Sequence, residues 1–183
     1  MFIDETSAYV GQNREYGWAP SSERVHDTRP KGKKARVSLI AAISLDAAMA
    51  EQALVITDTV NQNALLVFLD TTLLPTLGKG SVLVMDNWTV HRLGQNGRYR
   101  ACPHGEEVRE LVDAAGCELL YLPTYSPDLN PIEHLFAKVK AFVKRLRPDS
   151  TDKLINAFCD AVKTVTPENI LKSFLHCGYK LEP

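Results

Sequence analysis

Residues 118–136 read ELLYLPTYSPDLNPIEHLF. The opening run, Glu118, Leu119, Leu120, Tyr121 and Leu122, has the length of a buried strand and stops at Pro123. A polar turn rich in proline, serine and aspartate follows. Asn130 then stands where a helix N-cap belongs. Pro131 takes the first helical position, where a missing N–H is no loss. Beyond it Ile132, Leu135, Phe136, Val139, Phe142, Val143 and Leu146 recur at the 3.6-residue period of a helix with one apolar face. A strand that delivers its chain into an amphipathic helix is the building unit of an α/β fold.

The neighbouring sequence extends that unit in both directions. Downstream, a helix starts near Thr151 and another at Thr166-Pro167-Glu168, again with cap chemistry. Upstream, residues 106–115 have a helical pattern closed by Gly116, and residues 81–85 are a short continuous apolar run of strand length. Leu65, Leu66, Phe68, Leu69 and Leu73 sit at helical spacing within residues 61–74, and Pro75 with Gly78 ends that segment. Residues 37–44 and 53–57 are rich in Val, Ile and Leu and read as strands joined by a turn near Asp46. Met1-Phe2-Ile3 is a first apolar segment running into Asp4-Glu5-Thr6, and a polar loop is expected from Ser7 to Lys34. A meander of strands followed by strands alternating with helices predicts an α/β domain with a mixed sheet.

The chain has 183 residues, 45% of them hydrophobic and 23% charged, which suits one globular domain with a full core and excludes disorder, collagen and coiled coil. The longest apolar stretch, residues 37–50, is broken by Ser38, Ser44 and Asp46, so no membrane span is expected. Asp4 and Glu5 stand where a secretory leader would be basic and then apolar, so none is expected. Cys102, Cys117, Cys159 and Cys177 are scattered with no C-x-x-C pair, the usage of an intracellular protein with reduced thiols rather than a zinc or disulfide framework.

Net charge is only −1, but the charges are segregated. Arg29, Lys31, Lys33, Lys34 and Arg36 form one basic run, and Lys138, Lys140, Lys144, Arg145 and Arg147 another. Elsewhere acids outnumber bases about two to one. A solvated basic face explains either run alone; two in an otherwise acidic chain point toward a polyanionic partner.

Three acids share one kind of address. Asp4 ends the first apolar segment, Asp86 ends the 81–85 strand, and Glu133 lies in the first turn of the helix that follows the 118–122 strand. Ligands of α/β sheets gather at strand ends and helix starts. Carboxylates brought together there repel one another unless cations neutralise them. An all-oxygen donor set suits Mg²⁺ or Mn²⁺, and two such ions can activate water and stabilise the leaving oxygen of a phosphodiester. Each acid also has an ordinary role: Asp4 and Asp86 can turn the chain at strand ends, and Glu133 can cap its helix.

The segments Phe2-Ile3-Asp4-Glu5-Thr6, Val84-Met85-Asp86-Asn87 and Tyr125-Ser126-Pro127-Asp128-Leu129-Asn130-Pro131-Ile132-Glu133 resemble the DDE transposases of the mariner-like insertion-sequence superfamily. Gly17-Trp18-Ala19-Pro20, His91 and the basic helix after Glu133 are similar too, so the likeness covers nearly the whole chain. It implies a ribonuclease-H-like fold, a mixed five-stranded sheet flanked by helices. It implies that Asp4, Asp86 and Glu133 are catalytic and hold two Mg²⁺ or Mn²⁺ ions. Asn87 and His91 are candidates to position substrate or water, against turn and packing roles. Lys31, Lys33, Lys34, Lys140, Lys144 and Arg147 are candidates to bind a DNA backbone; the last three lie broadly on one helix face, opposite the apolar stripe.

Two departures from the family bear on organisation. The interval from Asp86 to Glu133 is roughly a dozen residues longer than usual, and residues 93–104 (LGQNGRYRACPH) fit an insertion that loops out without moving either acid. The family's helix-turn-helix modules precede its first aspartate, whereas three residues precede Asp4. The expectation is therefore a single catalytic domain over residues 1–183 without those modules. Its function would be metal-dependent phosphodiester hydrolysis and strand transfer at transposon ends in cut-and-paste transposition. Transposon-end and target DNA are the expected partners. A homodimer is compatible, and neither a membrane nor a small-molecule cofactor is implied. The compartment would be the nucleus in a eukaryote, or the cytoplasm and nucleoid in a bacterium. The alternatives are a catalytically silent, transposase-derived DNA-binding or interaction domain, and another ribonuclease-H-like nuclease.

Overall fold

The computed structural model describes residues 1–12, 17–24, 26, 35–86 and 103–180, with the backbone alone for 103–105. Five strands form one sheet: β1 (Phe2–Tyr9), β2 (Arg36–Ile43), β3 (Ala53–Thr57), β4 (Val82–Met85) and β5 (Glu118–Tyr121), in the order β3-β2-β1-β4-β5. β1, β2 and β3 are an antiparallel meander, and β4 and β5 run parallel to β1. β1 therefore lies at the centre, where the order reverses: its own chain leads to one side and that of β4 to the other.

Side chains alternate across this sheet, and the two faces feed two apolar layers. Phe2, Leu39, Ala41, Ile43 and Val84 pack beneath α3 (Pro131–Leu146), α4 (Thr151–Lys163) and α5 (Pro167–His176). Ile3, Ile40, Ala42, Leu83 and Met85 pack on the opposite side with α1 (Gln62–Phe68) and α2 (Pro103–Ala114). β2 is apolar on both faces because both are covered, and all residues from Val37 to Ile43 are buried. The one polar residue of that buried run, Ser38, is satisfied by donating its hydroxyl to the Asp58 carbonyl at 2.5 Å. No helix among the described residues is long and apolar enough to cross a membrane.

Several expected boundaries move, each for a local reason. β1 does not give way to loop at Ser7 but continues to Tyr9, because it pairs with β2 along its whole length, from Phe2↔Ile43 to Tyr9↔Arg36. The apolar segment after Asn61 is not one regular helix. Asn61 caps it by accepting from Ala64 N–H at 2.9 Å; α1 then passes into a π turn (Leu69–Leu73) and a 3₁₀ turn (Leu74–Thr76). Pro75 lacks an N–H and its ring opposes a regular α-turn, so the pitch changes while Leu65, Phe68, Leu69 and Leu73 stay buried. α2 begins at Pro103 rather than near residue 106, as a proline at the first helical position favours. Pro103 and His104 are therefore helical, and the proposed looped-out insertion can span at most residues 93–102, which lie outside the described residues. α2 ends as expected: Gly116 takes φ +72° and donates its N–H to the Asp113 carbonyl at 2.9 Å. On α3, Leu146 is half-exposed and does not continue the apolar stripe. The cap there also differs, in a way that matters at the site.

Candidate active site

β1 and β4 pair in parallel with Phe2 opposite Val84 and Ile3 opposite Met85. One step further along this register, Asp4 is level with Asp86. The two-residue period places Asp4 on the face of Phe2 and Asp86 on the face of Val84, both beneath α3. β5 pairs with β4 as far as Tyr121 opposite Met85, and its chain then turns through a 3₁₀ turn (Pro127–Leu129) into α3. Glu133, in the first turn of α3, thus returns to the same end of the sheet. Asp4, Asp86 and Glu133 line one cavity of about 260 Å³, with Glu5, Ile3, Ile40, Val60, Leu65 and Met85.

Residues of both sheet faces line it because β4 ends at Met85 while β1 runs on to Tyr9. Where the sheet thins, Glu5, on the opposite face from Asp4, reaches the same space. In the sequence, the signal for Glu5 is its place beside Asp4 on a strand that loses one neighbour. A second groove, of about 590 Å³, is lined by Tyr9, Arg36, Asp58, Thr151 and neighbours and contains none of the three acids.

Electrostatics in the cavity are strained. Burial, and then the negative charges of Glu5, Glu133 and Asp86, push the Asp4 carboxyl from 3.8 up to about 8, against the opposing pull of a hydrogen bond from Glu5 N–H. That bond is 2.7 Å long and ends on Asp4 Oδ1. The other oxygen, Oδ2, accepts from Asn130 Nδ2 at 2.8 Å. Asn130, expected as the cap of α3, makes no side-chain cap bond: its amide is turned to the strand instead. Glu133 does not cap in its place through the Asn130 N–H, which is bonded to the Pro127 carbonyl at 3.1 Å. Glu133 is exposed at the cavity mouth, as is Asp86, while Asp4 is half-buried. Among the described residues no three His, Cys, Asp or Glu side chains close around a single point.

The remaining candidates divide. Asn87, His91, Lys31, Lys33 and Lys34 lie outside the described residues. Lys140 and Lys144 are half-buried along α3, and Arg147 is exposed at its C-cap, with φ +49°. At 1.5 Å rise per residue they stand ~10, ~16 and ~21 Å from Glu133 along the helix axis, leading away from the cavity. Two other cations of the run have local partners. Lys138 Nζ donates to the Thr164 carbonyl at 2.6 Å and to Asn169 Oδ1, tying α3 to the α4–α5 junction. The Arg145 guanidinium lies 4.9 Å from the centroid of the Phe142 ring.

A central strand flanked by antiparallel and parallel neighbours, helices on both faces and acids gathered where the strand order reverses define a ribonuclease-H-like domain. A family model described as DDE superfamily endonuclease matches residues 1–155, and the chain belongs to that family. Solved structures similar to it include the Mos1 mariner paired end complex with Mn (TM-score 0.58, 19% identity), the Mos1 strand transfer complex (0.57, 18%) and the mariner Mos1 paired end complex with Mg (0.56, 18%). Each comparison covers 99% of this chain and 56% of the other, so the chain spans little more than half the length of those proteins. Comparison with curated protein sequences finds no match.

Proposed function

We propose that this chain is the catalytic core of a DNA transposase that hydrolyses a phosphodiester at a transposon end and joins the freed 3′-hydroxyl to target DNA. The observation that carries this is the convergence of Asp4, Asp86 and Glu133, from three separate stretches, on one cavity at the strand-order reversal. Their proposed role is to hold two Mg²⁺ or Mn²⁺ ions. The residues fit: every donor is a carboxylate oxygen, the chemistry that suits these hard cations. Burial first, and then the negative charges of Glu5, Glu133 and Asp86, disfavour the ionised Asp4 carboxylate, and a cation held there would offset that cost. When bound, divalent cations supply charge neutralisation and Lewis-acid activation of water.

The chain's own groups supply the geometry. Glu5 N–H and Asn130 Nδ2 each hold one oxygen of Asp4. Apolar Ile3, Ile40, Val60, Leu65 and Met85 wall the inner side of the cavity and limit water beside Asp4, while Asp86 and Glu133 stay exposed at its mouth. Lys140, Lys144 and Arg147 would neutralise phosphates of a duplex laid along α3, with Lys31, Lys33 and Lys34 adding to the same task. The Mos1 relatives are described as paired-end complexes, and a homodimer pairing two DNA ends is the corresponding proposal here. The site of action would be the nucleus or nucleoid.

Nicking of supercoiled plasmid in Mn²⁺ tests this. The chain should nick, and Asp86→Asn should abolish nicking while retaining its circular dichroism spectrum. Equal nicking by the folded Asp86→Asn variant would overturn the assignment.

A further inference from the structure

Asn130 is in the wrong state for its address. It precedes Pro131 at the start of a 16-residue helix, where its side chain ordinarily accepts from a backbone N–H of the first turn. It makes no such bond, and it is only 3% exposed. Its Nδ2 crosses to Asp4 Oδ2 at 2.8 Å, while its Oδ1 is buried with no hydrogen-bond partner among the described residues. An unmatched buried acceptor is unfavourable. Rotating the amide by half a turn would give Oδ1 a new environment but set oxygen against the Asp4 carboxylate. The observed orientation is the one Asp4 imposes.

The backbone of the same residue reaches the third acid. The Asn130 carbonyl accepts from Glu133 N–H at 3.3 Å in the first turn of α3. One residue therefore touches Asp4 through its side chain and the Glu133 peptide through its carbonyl. With Glu5 N–H on Oδ1 and Asn130 on Oδ2, the plane of the Asp4 carboxylate is fixed at both ends. Each oxygen has a second lone pair, and these remain for the cavity shared with Asp86 and Glu133. We propose that Asn130 is a positioning residue: its carboxamide, withdrawn from capping α3, orients the Asp4 carboxylate toward the other two acids. This rests on the proposal that the three acids are ion ligands in a nicking reaction. Partners of metal-binding carboxylates act in this way, and their loss costs about 10–100-fold in metal affinity or activity.

Asn130→Ser separates positioning from folding. Serine is among the best N-cap residues and leaves no orphaned amide oxygen, so the variant should melt at the same temperature as the parent or higher. It cannot span the distance to Asp4. Calorimetric Mn²⁺ affinity, or kcat for plasmid nicking at saturating Mn²⁺, should fall about 10–100-fold, and affinity for duplex DNA by fluorescence anisotropy should stay the same. Asn130→Ala, lacking both cap and bridge, should show the same functional loss together with a lower melting temperature. If the parent binds Mn²⁺ and nicks, Asp4→Asn does not, and Asn130→Ser matches the parent, the positioning role is wrong and the ion site stands. If the parent itself neither binds Mn²⁺ nor nicks, the ion site fails and the role of Asn130 falls with it.

Discussion

Replacing Asp4 with asparagine should make the ion-free protein more stable, and only above mildly acidic pH. The folded chain holds the Asp4 carboxyl at about 8, whereas its ordinary value is 3.8. Between those values the folded state keeps a proton that the unfolded chain has released, so the stability contributed by this group falls as pH rises from about 4 to 8. Taken at full value, the displacement bounds the effect at about 6 kcal/mol. Water reaches the half-buried carboxylate, so ~1–2 kcal/mol is the working figure. The carboxamide of the Asp4→Asn variant has the same shape and no charge to lose. Urea unfolding in the presence of a chelator, at pH 5 and pH 8.5, should therefore show the parent losing ~1–2 kcal/mol more than the variant. Other titrating groups, such as Asp149 and Glu168, are common to both chains and cancel. Mn²⁺ at pH 8.5 should restore the parent and leave the variant unchanged, since the cation offsets the cost of an ionised Asp4 that only the parent carries. A parent whose stability holds level or rises with pH relative to Asp4→Asn would show that burial and the neighbouring acids do not hold the proton on Asp4.

Glu133→Gln should leave the urea midpoint within error, because Glu133 is exposed and the Asn130 N–H is already taken by Pro127; calorimetry should nonetheless show Mn²⁺ binding lost. Lys138→Met should cost about 1 kcal/mol in the same unfolding assay by releasing Thr164 and Asn169. Lys140→Ala with Lys144→Ala should spare stability, weaken plasmid-derived and scrambled duplexes alike, and flatten the log–log salt slope by about 0.9 for each phosphate contact removed. Tyr179→Phe should lower stability by about 1 kcal/mol in thermal melts, through loss of the 2.8 Å bond from its hydroxyl to the Leu129 carbonyl.

The strands, the last three helices and the placement of the acids were legible because they rest on short-range patterns. Alternating faces decide that Asp4 lies with Phe2, and a 3.6-residue stripe decides how α3 sits. The π turn after Phe68 was not legible, since the apolar spacing of Leu65, Leu69 and Leu73 is the same for a helix that keeps its pitch. Nor was the length of β1: Ser7, Ala8 and Tyr9 read as the start of a polar loop, and only pairing with β2 holds them in the sheet. Asn130 misled for the opposite reason. Its local signal as a cap is strong, and a partner 126 residues away outweighs it. Local propensity takes no account of a carboxylate brought in by another strand.

That long-range bond also bears on which part of the chain supports the site. The family match ends at residue 155, inside α4, yet the packing does not stop there. The apolar layer beneath the acids includes Phe158, Ala161, Val162, Ile170 and Phe174. Phe174 meets Phe2 edge-on at 5.4 Å between ring centroids, two residues before Asp4, and Tyr179 meets the same ring at 5.2 Å. The Tyr179 hydroxyl then holds the carbonyl of Leu129, the residue before Asn130. α5 and its trailing tyrosine thus press on β1 at one end and on the turn into α3 at the other, the two segments that Asn130 ties together. If the three acids hold cations as proposed, they need a frame stiff enough to keep mutually repelling carboxylates close. The residues beyond the family match are part of that frame: the wedge Phe2–Phe174–Tyr179 fixes the strand, and the Leu129 carbonyl fixes the turn.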